Sequence, residues 1–316
     1  MESKMKNKTV AFYTLGCKVN QYETNGMIQE FKKANYTIVE FEEKADVYVI
    51  NTCTVTNMAD RKSRQMLRRV KEINPEAIVV AVGCYAQVAK EELEKIPEID
   101  LILGNNEKKD VITFTEKMLE ARANKKENEK VNKSIVSINV EEESESKIKN
   151  NIKKSNITDV LHCEEYVDFG DVTFTEKTRA VIKVQDGCDR FCSYCIIPFA
   201  RGHIRSRKPE SVVSEIKKIA KQGIKEVVIT GIHLASYGRD FKAEELKKIS
   251  VTDSKLSESL NLVEKQCKTK EQNKGEQDRK ENSRSSYGLI NLLEEINKIE
   301  GIQRIRLRFL RAYTDN

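Results

Sequence analysis

Three closely spaced cysteines are the residues of this chain best suited to reactive chemistry. Cys188, Cys192 and Cys195 lie in the string GCDRFCSYCIIP, with three and then two residues between successive thiols. Three thiolates on one short loop can hold three irons of a cubane cluster, which leaves the fourth iron open to a small molecule. The spacing therefore predicts a [4Fe–4S] cluster with one open coordination position.

Two other interpretations of these cysteines are a zinc knuckle and a disulfide loop. Zinc signatures usually pair two Cys-x2-Cys units or add a histidine, but the nearest histidine is His203 and no second pair follows. Disulfides belong to oxidising compartments, to which nothing in the sequence points. The spacing, with Tyr194 directly before the third cysteine, instead resembles the signature of the radical S-adenosylmethionine (radical SAM) superfamily.

A second set of cysteines is spread over the first third of the chain. Cys17, Cys53 and Cys84 occur in TLGCKVNQ, INTCTVTN and VGCYAQ, each directly after a predicted strand. In a parallel sheet these positions share the carboxyl edge, where such folds bind ligands. Three small buried residues are the alternative, since free cysteine is often buried. Their recurrence at equivalent strand ends favours a second three-cysteine cluster.

The elements that must position these cysteines form two α/β units. In the first, the apolar patterns predict strands over 10–15, 46–50, 77–82 and 101–103, and helices around 27–31, 57–73, 86–96 and 111–119. Strands that alternate with helices indicate a doubly wound parallel sheet. In the second, strands over 180–184, 226–230 and 302–309 alternate with helices over 209–220 and 288–299. This pattern matches the start of a (β/α) barrel whose cluster loop follows its first strand.

We therefore predict an α/β protein with a doubly wound N-terminal sheet followed by an incomplete radical SAM (β/α) barrel. The expected domains are 6–119 and 175–316, joined by a polar linker over 120–174 with one short strand at 134–140. A polar insertion is expected over 239–287. Because the chain ends after about three strands of the second unit, a closed barrel is not expected.

The composition indicates the cellular compartment of the protein and the kinds of partner that it can bind. Charged residues make up 34% of the chain, hydrophobic residues 39%, and the net charge is +6. No apolar stretch approaches the length of a membrane-spanning helix, so we expect a cytoplasmic protein without a membrane partner and with reduced cysteines. The mild positive charge permits a polyanionic partner without requiring one.

Two three-cysteine sites on consecutive α/β units resemble the methylthiotransferases of the radical SAM superfamily. The similarity covers residues 8–120 and 175–240 well and 288–307 more loosely. The branch that acts on N6-threonylcarbamoyladenosine in tRNA is the most similar, through the strings TLGCKVNQYET, VINTCTVTNMADRKSRQ, VVAVGCYAQ, KVQDGCDRFCSYCIIPFARG and VITGIHLASYG.

The resemblance implies two [4Fe–4S] clusters and S-adenosylmethionine as cofactors. Cys188, Cys192 and Cys195 would ligate the cluster that binds S-adenosylmethionine, and the earlier trio (Cys17, Cys53 and Cys84) would ligate an auxiliary cluster. Tyr194, Gly231 and His233 would contact the cofactor. For Tyr194 the alternative is packing within the loop, and a lone histidine is more often structural.

The implied reaction is tRNA methylthiolation. A 5′-deoxyadenosyl radical would act at C2 of the modified adenosine next to the anticodon, the auxiliary cluster would supply sulfur, and a second S-adenosylmethionine would supply the methyl group. The partners would be the tRNA anticodon loop and a one-electron donor such as flavodoxin or ferredoxin. No side chain is nominated as a general acid or base.

Two alternative functions remain open. The same chemistry could act on isopentenyladenosine in tRNA or on a ribosomal-protein aspartate, or the chain could be an inactive iron–sulfur fragment because its barrel is incomplete. Arg201, Arg205, Arg207 and Lys208 follow the cluster loop, where solvated surface charge is the first interpretation and phosphate contact the second. Cys163 and Cys267 lie in polar stretches and are not expected to be ligands. The sequence does not predict an oligomeric state.

Overall fold

The computed structural model describes residues 8–135, 154–170, 172, 178–241 and 287–308. The chain divides into two compact units, Met1–Val160 and Leu161–Asn316. Each unit is built on its own parallel sheet, which confirms the predicted α/β class.

The first unit contains a six-stranded sheet in which every neighbouring pair is parallel. Its strands are β1 (Thr9–Thr14), β2 (Thr37–Val39), β3 (Val47–Thr52), β4 (Ile78–Gly83), β5 (Leu101–Leu103) and β6 (Ser155–Asn156). The order β2-β1-β3-β4-β5-β6 changes direction between β1 and β3. In doubly wound folds, the carboxyl end of the sheet at this switch point is where ligands bind.

Helices follow these strands as the apolar spacing predicts. They are α1 (Lys18–Lys33), α2 (Asn57–Ile73), α3 (Cys84–Val88), α4 (Lys90–Glu94) and α5 (Val111–Ile135), with a 3₁₀ helix over Glu107–Asp110. From α1, Phe31 packs edge-on against Phe12 of β1, whereas Met66 of α2 joins the core cluster that includes Tyr48 and Ile50 of β3. Every residue of β3 and β4 is buried, as expected for strands covered on both faces.

Three predictions for the first unit differ from the structure. The single helix predicted over 86–96 is two short helices, because the backbone leaves the helical region at Ala89 (φ −119°, ψ 37°). The predicted linker begins inside α5, which continues through Ile135. Ser155 of β6 pairs with Ile102, so this stretch belongs to the first sheet. The short strand predicted over 134–140 is helical at 134–135, and 136–140 lie outside the described residues.

The second unit has a three-stranded parallel sheet in the order β11-β10-β7. Its elements are β7 (Arg179–Lys183), β8 (Gln185–Asp186), α6 (Ile197–Arg201), β9 (Arg205–Ser206), α7 (Pro209–Lys221), β10 (Glu226–Thr230), α8 (Leu289–Asn297) and β11 (Arg304–Arg308). Strands β8 and β9 pair antiparallel. Most of the predicted polar insertion, residues 242–286, lies outside the described residues. No helix in the described part of the chain is long and apolar enough to cross a membrane.

Candidate functional site

Three predicted ligands lie at the carboxyl ends of the three adjacent strands β1, β3 and β4. Cys17 immediately precedes α1, Cys53 directly follows β3, and Cys84 directly follows β4 and begins α3. Thr52 and Gly83 are partners in the β3–β4 register, so Cys53 and Cys84 leave neighbouring strands side by side. The structure thus places these cysteines at one edge of the first sheet, as the sequence predicted.

The loop before Cys17 lies directly against the thiol of Cys53. Gly16 has a positive φ of +93°, and a Cβ atom added there would be 2.6 Å from Cys53 Sγ. Only glycine adopts this conformation readily and leaves room for the sulfur. Cys53 and Cys84 are each only 4% exposed, whereas Cys17 is partly exposed. Two buried thiols and one more accessible thiol therefore lie at this edge.

Buried amide side chains hold the ends of these strands. Asn20 Nδ2 donates hydrogen bonds to the carbonyl oxygens of Leu15 (2.8 Å) and Thr52 (3.0 Å). Asn51 Nδ2 donates to the carbonyl oxygen of Asn20 at 2.9 Å. Neither asparagine was predicted from the sequence as a site residue. The available signal was a polar residue close to a strand-end cysteine: Asn51 lies inside the apolar strand β3 before Cys53, and Asn20 lies in the first turn of α1 after Cys17.

Polar contacts also fix the start of α3, where Cys84 lies. Asn105 Nδ2 is 3.6 Å from Cys84 Sγ. The hydroxyl of Tyr85 accepts a hydrogen bond from Arg64 Nη1 at 2.6 Å, and Arg64 also pairs with Glu92 at 2.8 Å. Burial raises the pKa of Tyr85 to about 12. The phenol is therefore neutral at physiological pH and suited to hydrogen bonding beside the candidate ligand.

The second cysteine trio lies in the loop between β8 and α6, and all three thiols are partly exposed. The N–H of Cys195 donates to the carbonyl oxygen of Cys192 at 2.9 Å, which closes a turn. Burial raises the pKa of the Cys188 thiol, and so does negative charge on Cys195 and Cys192.

The loop that carries Cys188, Cys192 and Cys195, between β8 and α6, is the cluster loop, and its backbone is constrained. Gly187 has φ +71°, and a Cβ atom there would lie 1.8 Å from the carbonyl oxygen of His203. Phe191, between the first two cysteines, has φ +42°, which is uncommon for a bulky residue and typical of functional loops. Tyr194 is 81% exposed, so the alternative in which it packs within the loop is wrong.

Gly231 and His233 lie just beyond the carboxyl end of β10, next to β7 in the sheet. The backbone N–H of His233 donates to Gln185 Oε1 at 2.7 Å, and Gln185 Nε2 donates to the carbonyl oxygen of Gly187 at 2.8 Å. Ring atom Nδ1 of His233 is hydrogen-bonded to Ser236. One glutamine side chain thus links the segment of Gly231 and His233 to the base of the cluster loop.

The structure overturns both interpretations of the arginines that follow the loop. Arg201 is fully buried, and Arg205 and Arg207 are 1% exposed, so these three neither cover a solvated surface nor reach phosphates. Of the four cations, Arg201, Arg205, Arg207 and Lys208, only Lys208 is exposed. The sequence could not show this outcome, because it depends on acidic partners from other elements.

Those partners are three buried or partly buried carboxylates. Asp186, directly before the loop, pairs with Lys183 at 2.6 Å and with Arg201 at 3.1 Å, and Arg205 lies 3.8 Å away. Arg207 pairs with Glu215 of α7 and with Asp168. The cluster loop therefore rests on a buried ionic network that ties β7, α6 and β9 together.

The chemistry of the two donor sets fits iron–sulfur clusters. Among the described residues, no three His, Cys, Asp or Glu side chains are grouped so that they could hold a metal ion. A cubane instead binds each cysteine sulfur to its own iron, so its ligands need not converge on one point. Three thiols at adjacent strand ends, with Gly16 leaving room for the sulfur of Cys53, suit such a cluster. Cys163 is partly exposed and belongs to neither set, and Cys267 lies outside the described residues.

Two family models match the sequence. Residues 9–104 match "Uncharacterized protein family UPF0004", and residues 182–268 match the "Radical SAM superfamily". The first match contains Cys17, Cys53 and Cys84, and the second contains the cluster loop. Together they define a radical SAM protein that carries a UPF0004 unit before its radical SAM unit.

Similar curated proteins indicate which group of radical SAM proteins this chain resembles. The chain is 39% identical over 241 residues to "Threonylcarbamoyladenosine tRNA methylthiotransferase MtaB" of Bacillus subtilis (76% of this chain, 47% of that protein). It is 37% identical over 298 residues to the MtaB of Aquifex aeolicus (94% and 55%). It is 31% identical over 244 residues to "tRNA-2-methylthio-N(6)-dimethylallyladenosine synthase" of Dictyoglomus thermophilum (75% and 48%).

The chain belongs to the radical SAM methylthiotransferase family, which confirms the resemblance drawn from its motifs. It spans about half the length of the curated relatives that it matches.

Proposed function

We propose that this chain serves in the methylthiolation of N6-threonylcarbamoyladenosine in tRNA, at C2 of the modified adenosine next to the anticodon. The observation that carries the proposal is the position of Cys17, Cys53 and Cys84 at three adjacent strand ends, in a chain that also has the radical SAM loop. Radical chemistry on S-adenosylmethionine needs one cluster, whereas sulfur insertion would use a second one. A second set of three cysteines therefore favours sulfur insertion. The substrate branch rests on the higher identity to the two MtaB proteins.

For this reaction the chain would bind two [4Fe–4S] clusters and S-adenosylmethionine. Cys188, Cys192 and Cys195 would hold the cluster that binds S-adenosylmethionine, and the strand-end trio in the first unit would hold the auxiliary cluster. When bound, these groups supply the electron, the radical and the sulfur that an unactivated aromatic C2–H requires. The proposed partners are the anticodon loop of tRNA and a one-electron donor such as flavodoxin or ferredoxin, in the cytoplasm.

The protein's own residues would bind and orient these groups. Gly187 and Phe191 set the loop backbone, and the buried carboxylate of Asp186 holds the base of the loop through its ion pairs. Gly231 and His233, joined to that base through Gln185, are the proposed contacts to S-adenosylmethionine, together with the backbone at Tyr194. In the first unit, Asn20 would keep the loops of Cys17 and Cys53 at a fixed separation.

Iron and sulfide counting after anaerobic reconstitution tests the two-cluster assignment. The wild-type chain is expected to bind about eight irons, and Cys53→Ala to lose about four, because one cubane loses a ligand. Cys163→Ala is the matched control and is expected to keep the wild-type count. An unchanged iron content in Cys53→Ala would show that the strand-end cysteines hold no cluster.

Activity and substrate need separate measurements. Formation of 5′-deoxyadenosine by the reconstituted chain would exclude an inactive iron–sulfur fragment. Mass spectrometry of tRNA nucleosides, from cells with and without the gene, then tests the substrate. If the methylthio form of the threonylcarbamoyl nucleoside is the same in both, the substrate assignment is wrong even when both clusters are present.

A further inference from the structure

Helix α2 carries an unusual concentration of positive charge. Its segment Asn57–Ile73 contains six Lys and Arg residues and two acidic residues, Asp60 and Glu72, a net charge of +4 against +6 for the whole chain. A charge run of this kind is often only a solvated helix face. The structure shows which of the six cations serve the fold and which do not.

Two of the six are bound within the protein. Arg64 pairs with Glu92 and donates to the hydroxyl of Tyr85. Lys71 donates to the carbonyl oxygen of Ala77 at 2.7 Å and lies 3.4 Å from Asp100. The remaining four are exposed and form no ion pair with any residue that the structure describes: Arg61, Lys62, Arg68 and Arg69.

These four residues form two neighbouring rows on one side of the helix, which we call the basic face of α2. Arg61 and Arg68 are seven residues apart, as are Lys62 and Arg69, so each pair spans two turns, about 10.5 Å. The opposite side is buried in the core through Ser63, Met66, Leu67 and Val70. Glu72, one turn beyond Arg68, is exposed and makes no ion pair within the described part of the chain.

The basic face also begins beside the candidate cluster site. Helix α2 starts at Asn57, shortly after Cys53, and Thr56 caps it by accepting a hydrogen bond from the N–H of Ala59. Val55 and Met58, at this end, are 59% and 72% exposed. A ligand that reaches the carboxyl edge of the first sheet could therefore extend along α2.

We propose that the basic face of α2 binds the phosphate backbone of the RNA substrate; this inference rests on the proposed function, which supplies RNA as the substrate class. Three of the four cations are arginines, whose guanidinium groups match phosphate oxygens in two-point contacts. Protein–nucleic acid interfaces are polar and strongly positive, whereas protein–protein interfaces have an apolar core with few charges. Between its cations the basic face presents the polar side chains of Gln65 and Glu72 rather than an apolar core, as expected for a nucleic-acid interface rather than a protein interface.

Salt-dependent binding of a synthetic anticodon stem-loop RNA tests the inference. The variant chain carries Arg61→Gln, Lys62→Gln, Arg68→Gln and Arg69→Gln. The matched control removes four other exposed charges of the same unit: Lys32→Gln, Lys44→Gln, Lys95→Gln and Lys109→Gln. Both lose the same net charge, and circular dichroism melting verifies that both fold. Fluorescence anisotropy over a series of salt concentrations gives the affinity and its salt slope.

The variant of the basic face is expected to lose about tenfold or more in affinity, and its salt slope to fall by about 3, because each phosphate contact contributes about 0.7 on single strands. The control is expected to stay within about twofold of the wild-type affinity. Three results would overturn the inference: no salt-dependent RNA binding by the wild-type chain, wild-type affinity and slope in the variant, or an equal loss in the control. A variant that binds RNA normally but loses affinity for flavodoxin would also overturn it, in favour of an acidic protein partner.

This assay separates the inference from the proposed function, since binding is measured without turnover. Suppose that the variant loses RNA binding while the tRNA nucleosides are unchanged in cells lacking the gene. This result would support RNA binding by the basic face and would reject the proposed tRNA nucleoside as the substrate. Normal RNA binding by the variant, together with nucleosides that do change, would reject only the basic face.

Discussion

The side-chain amide of Asn20 donates a hydrogen bond to the carbonyl oxygen of Thr52 at 3.0 Å, and it also donates to Leu15 at 2.8 Å. Thr52 immediately precedes Cys53, and Leu15 lies between β1 and Cys17. A single side chain that is 1% exposed thereby joins the two strand ends at the switch point of the sheet. Its side-chain N–H groups thereby serve one carbonyl group from each of the two strand ends.

Replacing Asn20 with alanine should weaken both the fold and the cluster site. Asn20→Ala leaves two carbonyl groups at the sheet edge without this donor, so we expect a loss of about 2 kcal/mol in the free energy of unfolding. Urea titration measures that loss, and iron counting after reconstitution should show a lower content. The control is Asn25→Ala on the same helix, at a partly buried position. Equal stability of the two variants would contradict the role of Asn20.

Gly16 should not accept a side chain. Gly16→Ala adds strain at a φ of +93° and places a Cβ atom 2.6 Å from Cys53 Sγ, so backbone strain and overpacking together are expected to cost about 2–5 kcal/mol. Gly223→Ala is the control, since Gly223 also has a positive φ (+82°) but has no atom within 4 Å of the added Cβ. It should show the strain alone, about 1–2 kcal/mol. If both variants unfold at the same urea concentration, Cys53 does not lie against Gly16.

The carboxylate of Asp186 should be essential for stability. Asp186→Asn leaves the buried cations of Lys183 and Arg201 without their anion, and we expect a loss of about 3–5 kcal/mol. Asp189→Asn removes the other acidic residue of this region, which is 48% exposed and pairs with His203, and should cost less than about 1 kcal/mol. Thermal and urea unfolding distinguish the two. A mild effect of Asp186→Asn would mean that the network is open to water.

Alkaline pH should weaken the first unit through two tyrosines. Burial raises the pKa of Tyr36 and of Tyr85 to about 12, from an ordinary value near 10. Because the folded-state pKa is the higher one, the stabilising contribution is complete below about pH 10 and is lost as the pH rises towards 12. Tyrosinate absorbance and the unfolding midpoint follow this change together.

The double variant Tyr36→Phe and Tyr85→Phe should lose less stability over that interval. Tyr194→Phe, at an 81% exposed position, is the control and should leave the alkaline loss unchanged. If the double variant behaves like the wild-type chain, other groups govern the alkaline transition.

Local patterns were sufficient to predict most elements of the fold. The basic, amphipathic stretch 57–73 coincides with α2, and the apolar runs 101–103 and 226–230 coincide with β5 and β10. The patterns failed where the backbone changes course without a strong sequence signal. The break at Ala89 has no proline or glycine beside it, and Ser155 of β6 is polar, so neither feature was visible in the sequence.

The sequence by itself grouped six cysteines into two predicted ligand sets and located the strands that precede the first set, because thiol spacing and strand periodicity are local properties of the chain. Only the tertiary structure decided which charged side chains around these cysteines are buried and which are exposed. Arg207 is buried because it meets Asp168 and Glu215, whereas Arg61 and Arg68 remain exposed. Burial of a charge requires a partner of opposite sign, and that partner lies on another element whose position only folding fixes.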